Sequence, residues 1–384
     1  MAQRIYNLTP LTGIHIGTGE ELTFLDYKIA SKIGDIDFNK KMFIKFSSDR
    51  ILQRLAGNEQ IMTTFERASV NGNMKELIQF FHENCTNKKD SDYLYDITKK
   101  FLKTYEANRN KDPHQNAAKV LQMYHCEGTS SPVIPGSSLK GSIRTALLNC
   151  YLSYLPETDY DYGLTELNKE GQPEKFDGRL QGKLLEYNDA KNDPLRAVLI
   201  PDCSFKDTNT QLVGGLDIVS FNKQNESLEP IGTQIQAEVL KGEFLGGKAI
   251  SELCISINED LQKTKHIKKI ITFDDIHESC NYFFWREFQN EYNKFYKDIN
   301  DGTEEIILEL KKRLENAIKT KDQFIVRVGR WSQVEYVTFE ENFRKPQTKK
   351  GKYGKPLGYG GTRTLFDYDG KHVPMGWCIL SVKE

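Results

Sequence analysis

The stretch SPVIPGSSLKGSIRTALLN, residues 131–149, runs an extended, proline-flanked segment into Gly136, two serines and a helical pattern bearing Lys140 and Arg144. Free N–H groups at a helix start, the helix dipole and two nearby cations favour an anion, and Ser137 or Ser138 can cap the helix or donate to a ligand. Three enzyme motifs approach this stretch and fail. Gly136 and Gly141 have the glycine spacing of a Walker loop, but Ser142 and Ile143 follow where the phosphate-binding lysine belongs. Ser137 to Lys140 matches the SxxK of acylating serine enzymes, yet no SDN or KTG follows. The GxSxG elbow needs glycine at position 140, where lysine stands. An anion cradle and an ordinary capped helix with two solvated cations both remain open.

Further along, FRKPQTKKGKYGKPLGYGGTRTL puts six cations (Arg344, Lys345, Lys349, Lys350, Lys352, Lys355) into twelve residues of a chain with net charge -1. Tyr353 and Tyr359 are interleaved, and Gly360 and Gly361 lead to Arg363. Cations neutralise phosphates, aromatic rings stack on bases, and glycine lets amides approach a sugar-phosphate chain. A solvated, disordered loop is the bland alternative. In VRVGRWSQVEYVTF, Arg330 and Trp331 follow a strand at a turn and suit RNA, or a tryptophan buried under a loop. GIHIGTGEE carries His15, which could act as a general base near neutral pH or serve as a structural or phosphate-contacting histidine. Asp26, Asp202, Asp207 and Asp217 are scattered without a pattern that specifies a metal.

These residues need a scaffold, and 384 residues suffice for two domains or one with large insertions. The balanced charge leaves nucleic-acid binding to local patches. No stretch reaches the roughly 18 apolar residues of a membrane span. Seven cysteines without a CxxC pair argue against a zinc site or disulfide framework and for reduced thiols in a cytosol. QRIYNLTP reads as a strand entering a glycine loop. Residues from about 48 to 125 read as helical, including YLYDITKKFLKTYEA and PHQNAAKVLQMY. Leu139, Ile143, Ala146, Leu147, Cys150 and Tyr154 form one apolar stripe, and residues 156–182 read as a loop or linker. TQIQAEVLKG and SELCISIN read as a hairpin around GEFLGG, and the aromatic stripe of Trp285, Phe288, Tyr292 and Phe295 as core. The class is α+β, with two ferredoxin-like units as a fitting arrangement.

LTPLTGIHIGTGEE, IPGSSLKGSIRTALL and PLGYGGTRTLF…PMGWCIL, in this order, resemble the RAMP proteins of type III CRISPR systems, with the fifth-subunit family of the type III-A Csm complex as the nearest pattern. The resemblance runs from residue 4 to 382. It implies two ferredoxin-like (RRM-like) RAMP domains, 1–182 with a helical insertion at about 48–125, and 183–384 with a Gly-rich basic loop at about 344–363. It also implies a non-catalytic crRNA-binding subunit at the crRNA 3′ end that supports complex assembly and 3′ maturation in antiviral defense. Its partners are then crRNA, the backbone RAMP subunit, the other Csm subunits and host nucleases, with no cofactor, metal or membrane. His15, Gly17, Ser137, Ser138, Lys140, Arg144, Gly360, Gly361 and Arg363 become RNA-facing or loop-shaping candidates, beside Arg330, Trp331, Lys352 and Tyr359 from the residue chemistry. Relatives carry a GWGSG-like turn where this chain has GRWSQVEYVT, so only Gly329 keeps a glycine role and Arg330 with Trp331 substitutes. The alternative is a metal-independent CRISPR RNA endoribonuclease using His15.

Overall fold

The alternation in QRIYNLTP folds as expected: the strand Ala2–Pro10 buries Tyr6, Leu8 and Pro10 on one face. In this computed structural model the strand lies inside a five-stranded sheet, antiparallel to Ser251–Ile257 on one side and Trp377–Val382 on the other. Gln323–Arg327 and Val198–Leu199 form the two edges. The helices Gly136–Ser153 and Phe273–Glu291 pack together and share one apolar core with this sheet, including Leu139, Ile143, Leu147, Phe284, Phe288 and Leu380. Each fully buried side chain of this size contributes about 1.5–3 kcal/mol. The apolar stripe ends one turn early, because Tyr154 is 76% exposed. The structure describes all residues except 112–117, 127–128, 156–175, 207–209, 233, 340–359 and 384, together with the side chains of 176–179. Lys352, Tyr359, Asp207 and the lysines of the basic loop therefore lie outside the described residues.

The second sheet is larger. Its strands run in the order Gly17–Leu22, Val120–Met123, Ile235–Leu240, Gln211–Asn222, Ser91–Ile97, Ile36–Phe46, Tyr27–Ile33, with Ser227–Pro230 and Arg363–Tyr368 also pairing with Gln211–Asn222. Both sheets draw strands from either side of residue 182, so the fold is mixed α/β and the boundary expected at 182/183 does not divide the sheets. Local periodicity identifies a strand but not the distant partner that completes it.

Three local expectations change. The segment 48–125 does contain the helices Ser48–Leu55, Glu59–Val70, Met74–Asn84 and Lys99–Asn108, but Ser91–Ile97 and Val120–Met123 are strands. Tyr93 and Tyr95, two residues apart, are buried on one face. The helix resumes only after Thr98, whose hydroxyl accepts the Phe101 N–H at 3.2 Å. Ile235–Leu240 and Ser251–Ile257 are not a hairpin; they sit in different sheets, with the GEFLGG turn crossing between them. The helix Phe176–Leu184 takes up the end of the expected linker 156–182. Among the described residues no helix is long and apolar enough to cross a membrane.

Candidate nucleic-acid interface

The helix start at Gly136 already holds an anion of its own. The helix has Pro135 as N-cap, and neither Ser137 nor Ser138 caps it. The Gly136 N–H donates to the Asp202 carboxylate at 2.7 Å. A Cβ on Gly136 would lie 2.0 Å from the Ile200 carbonyl oxygen, so the glycine is set by the 200–202 backbone crossing the helix start. Ser137 is exposed and Ser138 half-buried. Lys140 donates to the Val198 carbonyl at 2.8 Å, and burial holds its ammonium below the usual lysine range. Arg144 bonds the Asp193 carboxylate at 2.6 Å, the Gln181 side-chain oxygen at 3.0 and 3.1 Å, and the Tyr187 hydroxyl at 2.8 Å. Both cations therefore tie the helix to residues 181–198, a correction to their reading as RNA-facing charges.

Arg363 is corrected more strongly, since it is 1% exposed. Its Nε lies 2.9 Å from Glu291 and its guanidinium 3.3 Å from Glu335. Arg327 bonds the other Glu291 oxygen at 2.7 Å, and Tyr336 and Tyr296 donate to the same carboxylate at 2.6 and 3.1 Å. Burial would raise the Glu291 carboxyl, but the two guanidiniums and the Tyr336 hydroxyl outweigh it and hold it below the ordinary range. The Gly360 N–H donates to Glu335 at 2.7 Å, so this buried cluster anchors the end of the glycine segment. A Cβ on Gly361 would meet nothing within 4 Å.

His15, Gly17, Arg330 and Trp331 do come together. Gly329 has φ +87°, and a Cβ there would stand 2.7 Å from the His15 carbonyl oxygen, which accepts the Arg330 N–H at 2.8 Å. The half-buried Trp331 ring lies 4.9 Å from the His15 ring, with the exposed Arg330 guanidinium 5.1 Å over the indole. Gly17 is exposed; a Cβ on it would lie 3.0 Å from His15 Nε2. His15 itself is fully buried, its Nδ1 bonded to the Glu238 carbonyl at 2.7 Å. Burial lowers its pKa to about 4 against that bond. A neutral imidazole with no exposed surface cannot reach an RNA hydroxyl, so His15 is a positioning residue under the glycine strand, not a general base or a surface contact.

Sequence reasoning missed a groove of about 970 Å³ beside this cluster. Its lining includes Thr18, Lys45, Arg50, Tyr93, Tyr124 and His125. Tyr124 donates its N–H to the Ile16 carbonyl at 2.7 Å, and its own carbonyl accepts the Val133 N–H at 3.1 Å. The groove rim thus links the glycine strand to the run-in of the motif helix. Its residues come from several separate segments, and no single one carries a motif.

Asp217, Asp367 and His372 also converge, with metal-ligating atoms within 4.8 Å of one another. The Lys100 ammonium stands among them, 2.8 Å from Asp217 and 2.5 Å from Asp367. A built-in cation occupies this carboxylate pair.

Comparison with known proteins agrees with the fold. The chain is 29% identical over 260 residues to a protein named CRISPR system Cms protein Csm5 from Streptococcus thermophilus, a match spanning 64% of this chain and 66% of that protein, just under two thirds of each. It superposes with a TM-score of 0.65 and 19% identity on a chain of the Csm–crRNA–target RNA ternary complex of a type III-A CRISPR-Cas system, covering 99% of this chain and 100% of that one. The crystal structure of T. onnurineus Csm5 gives a TM-score of 0.58 at 16% identity, covering 97% and 99%. The RAMP superfamily model matches residues 7–334, and the chain belongs to the RAMP superfamily.

Proposed function

We propose that this chain is a non-catalytic crRNA-binding subunit of a type III-A Csm complex, placed at the crRNA 3′ end, where it supports assembly and 3′ maturation in the cytoplasm. The backbone RAMP subunit, the other Csm subunits and host trimming nucleases are its partners in this reading. The observation that carries it is the surface where Gly17, Arg330 and Trp331 meet beside a cation-bearing groove, in a chain of this family. A guide of variable sequence calls for phosphate and sugar contacts, which an exposed arginine, glycine backbone and ring faces provide. Two ferredoxin-like units, with the helical insertion of about 48–125 in the first, belong to this reading, each completed by strands that return from the other half of the chain.

The test is RNA affinity of the full chain against salt, with Arg330→Ala, alongside the RNA that co-purifies with the assembled complex. The salt slope of the variant should become about 0.7 shallower for each phosphate it no longer neutralises. Unchanged affinity and slope, together with normal assembly and normal crRNA 3′ ends in the absence of this chain, would sink the proposal.

A further inference from the structure

We propose that the groove lined by Lys45, Arg50, Tyr93 and Tyr124 is a nucleotide subsite for single-stranded RNA, with a base stacked on Tyr124 and its phosphate at Lys45 and Arg50. The proposal rests on the RNA-binding reading above and adds a site outside every motif discussed so far.

The local charge favours a phosphate. Lys45 and Arg50 both pair directly with Asp92, while Asp26, Glu238 and Glu20 act on Lys45 without a direct ion pair. The Lys45 side chain is 20% exposed and that of Arg50 45%, which leaves both within reach of a ligand. Burial holds the Lys45 ammonium below its usual range, with Arg50 adding to the effect and Asp26, Glu238 and Glu20 opposing it. A phosphate at Lys45 and Arg50 competes with Asp92 for these two cations.

The rings favour a base. Tyr124 is 42% exposed, and its backbone is fixed on both sides by the bonds to Ile16 and Val133. In the same groove, Tyr93 stacks on Tyr95 at 4.4 Å and lies 5.0 Å from the His125 ring. Rigid aromatic walls favour a planar base and need no particular base identity. Thr18, Gln122, Thr129, Ser130 and Ser131 add hydroxyl and amide groups to the lining, beside Met123 and Cys126. Such groups suit the ribose hydroxyls that an acidic peptide lacks. At about 970 Å³ the groove falls within the range of small-ligand sites, about 300–1,000 Å³.

The test uses the full-length protein and a single-stranded RNA carrying 4-thiouridine, irradiated and mapped by peptide mass spectrometry. Crosslinks are expected in the peptides holding Tyr93 or residues 122–131. Tyr124→Ala should weaken binding about fivefold or more, while Tyr124→Phe keeps the ring and the affinity. Lys45→Ala should make the salt slope about 0.7 shallower. Asp92→Asn, which removes the competing carboxylate, should tighten binding. Crosslinks confined to other surfaces, with Tyr124→Ala and Asp92→Asn binding like wild type, overturn the groove and leave RNA binding elsewhere intact. No crosslink and no measurable RNA affinity in the wild-type chain overturn both.

Discussion

Arg363 Nε lies 2.9 Å from Glu291 Oε1, and neither side chain is more than 1% exposed. An arginine in a glycine-rich, basic segment is spent on the interior. Glu291 stands at the end of the helix Phe273–Glu291, just before the π turn Tyr292–Tyr296, and receives Arg327 from another strand. Two arginines and two glutamates thus join elements that are distant in sequence. Removing one partner leaves a charge buried without its counterion, a loss of about 3–5 kcal/mol.

Arg363→Ala should therefore lower the urea midpoint sharply, and Arg363→Lys should rescue little, because an ammonium cannot bridge Glu291 and Glu335 as a guanidinium fork does. Wild-type stability in Arg363→Ala, coupled with weaker RNA binding, would restore the RNA-contact assignment.

Asp202 makes the same point at the motif helix. Its carboxylate holds the Gly136 N–H at 2.7 Å, so Asp202→Ala should cost about 1 kcal/mol, as loss of a helix-start acceptor does. RNA affinity should stay level or rise slightly, since the helix start then lacks its resident anion. A large rise in RNA affinity at unchanged stability would mean that the helix start serves a phosphate for which Asp202 competes. Gly136→Ala should destabilise more, because its Cβ would stand 2.0 Å from backbone.

Much of this is legible in the sequence, and the limits are physical. The strand at Tyr6 and Leu8, the buried stripe from Leu139 to Cys150 and the core role of Phe288 and Phe295 follow from periodicity alone. The turn at Gly329 also keeps its glycine role, with φ +87°. What periodicity cannot supply is the partner. Arg144 reads as a surface cation until Asp193 and Tyr187 are seen beside it, and Arg363 until Glu291 is. Tyr93 and Tyr95 read as helical because Leu94 and Ile97 also fit a helical spacing; only the neighbouring strands decide. Lys45, Arg50 and Tyr124 are invisible as a group because their proximity is made by the sheet.

Lys100 stands where a metal ion would. Burial would raise the Asp217 carboxyl, but bonds from His372, Lys100 and Gln234 outweigh it and hold it at about 2. Lys100→Met removes the cation and leaves two carboxylates and an imidazole close together. With the lysine side chain 44% exposed, solvent screens part of the loss, and about 2 kcal/mol is expected. Millimolar Mn²⁺ should then raise the thermal midpoint of Lys100→Met and leave the wild type unmoved. Equal responses of the two proteins would show that the ammonium does not hold the cation position.

Two buried groups beneath the glycine strand tie stability to pH. Glu238 is fully buried, and burial pushes its carboxyl from 4.5 to about 7, against the Met123 N–H and Tyr93 hydroxyl that it accepts. Burial pulls neighbouring His15 from 6.5 down to about 4, against its bond to the Glu238 carbonyl. The two signs are opposite. Relative to an ordinary glutamate, Glu238 favours the folded state fully below pH 4.5 and loses that contribution as pH rises through about 7. The contribution of His15 is fully present above pH 6.5 and is lost as pH falls through about 4. Each shift corresponds to roughly 3 kcal/mol, so between pH 4.5 and 6.5 the two slopes largely cancel. Glu238→Gln keeps an oxygen for the Met123 N–H and removes the titration. Its stability, measured by urea unfolding, should fall relative to wild type by roughly 3 kcal/mol on going from pH 6.5 to 4.5, as the slope of His15 is left unopposed. Parallel pH profiles for the two proteins would show that Glu238 titrates as an ordinary carboxylate, and that the buried pair beneath the glycine strand does not balance itself.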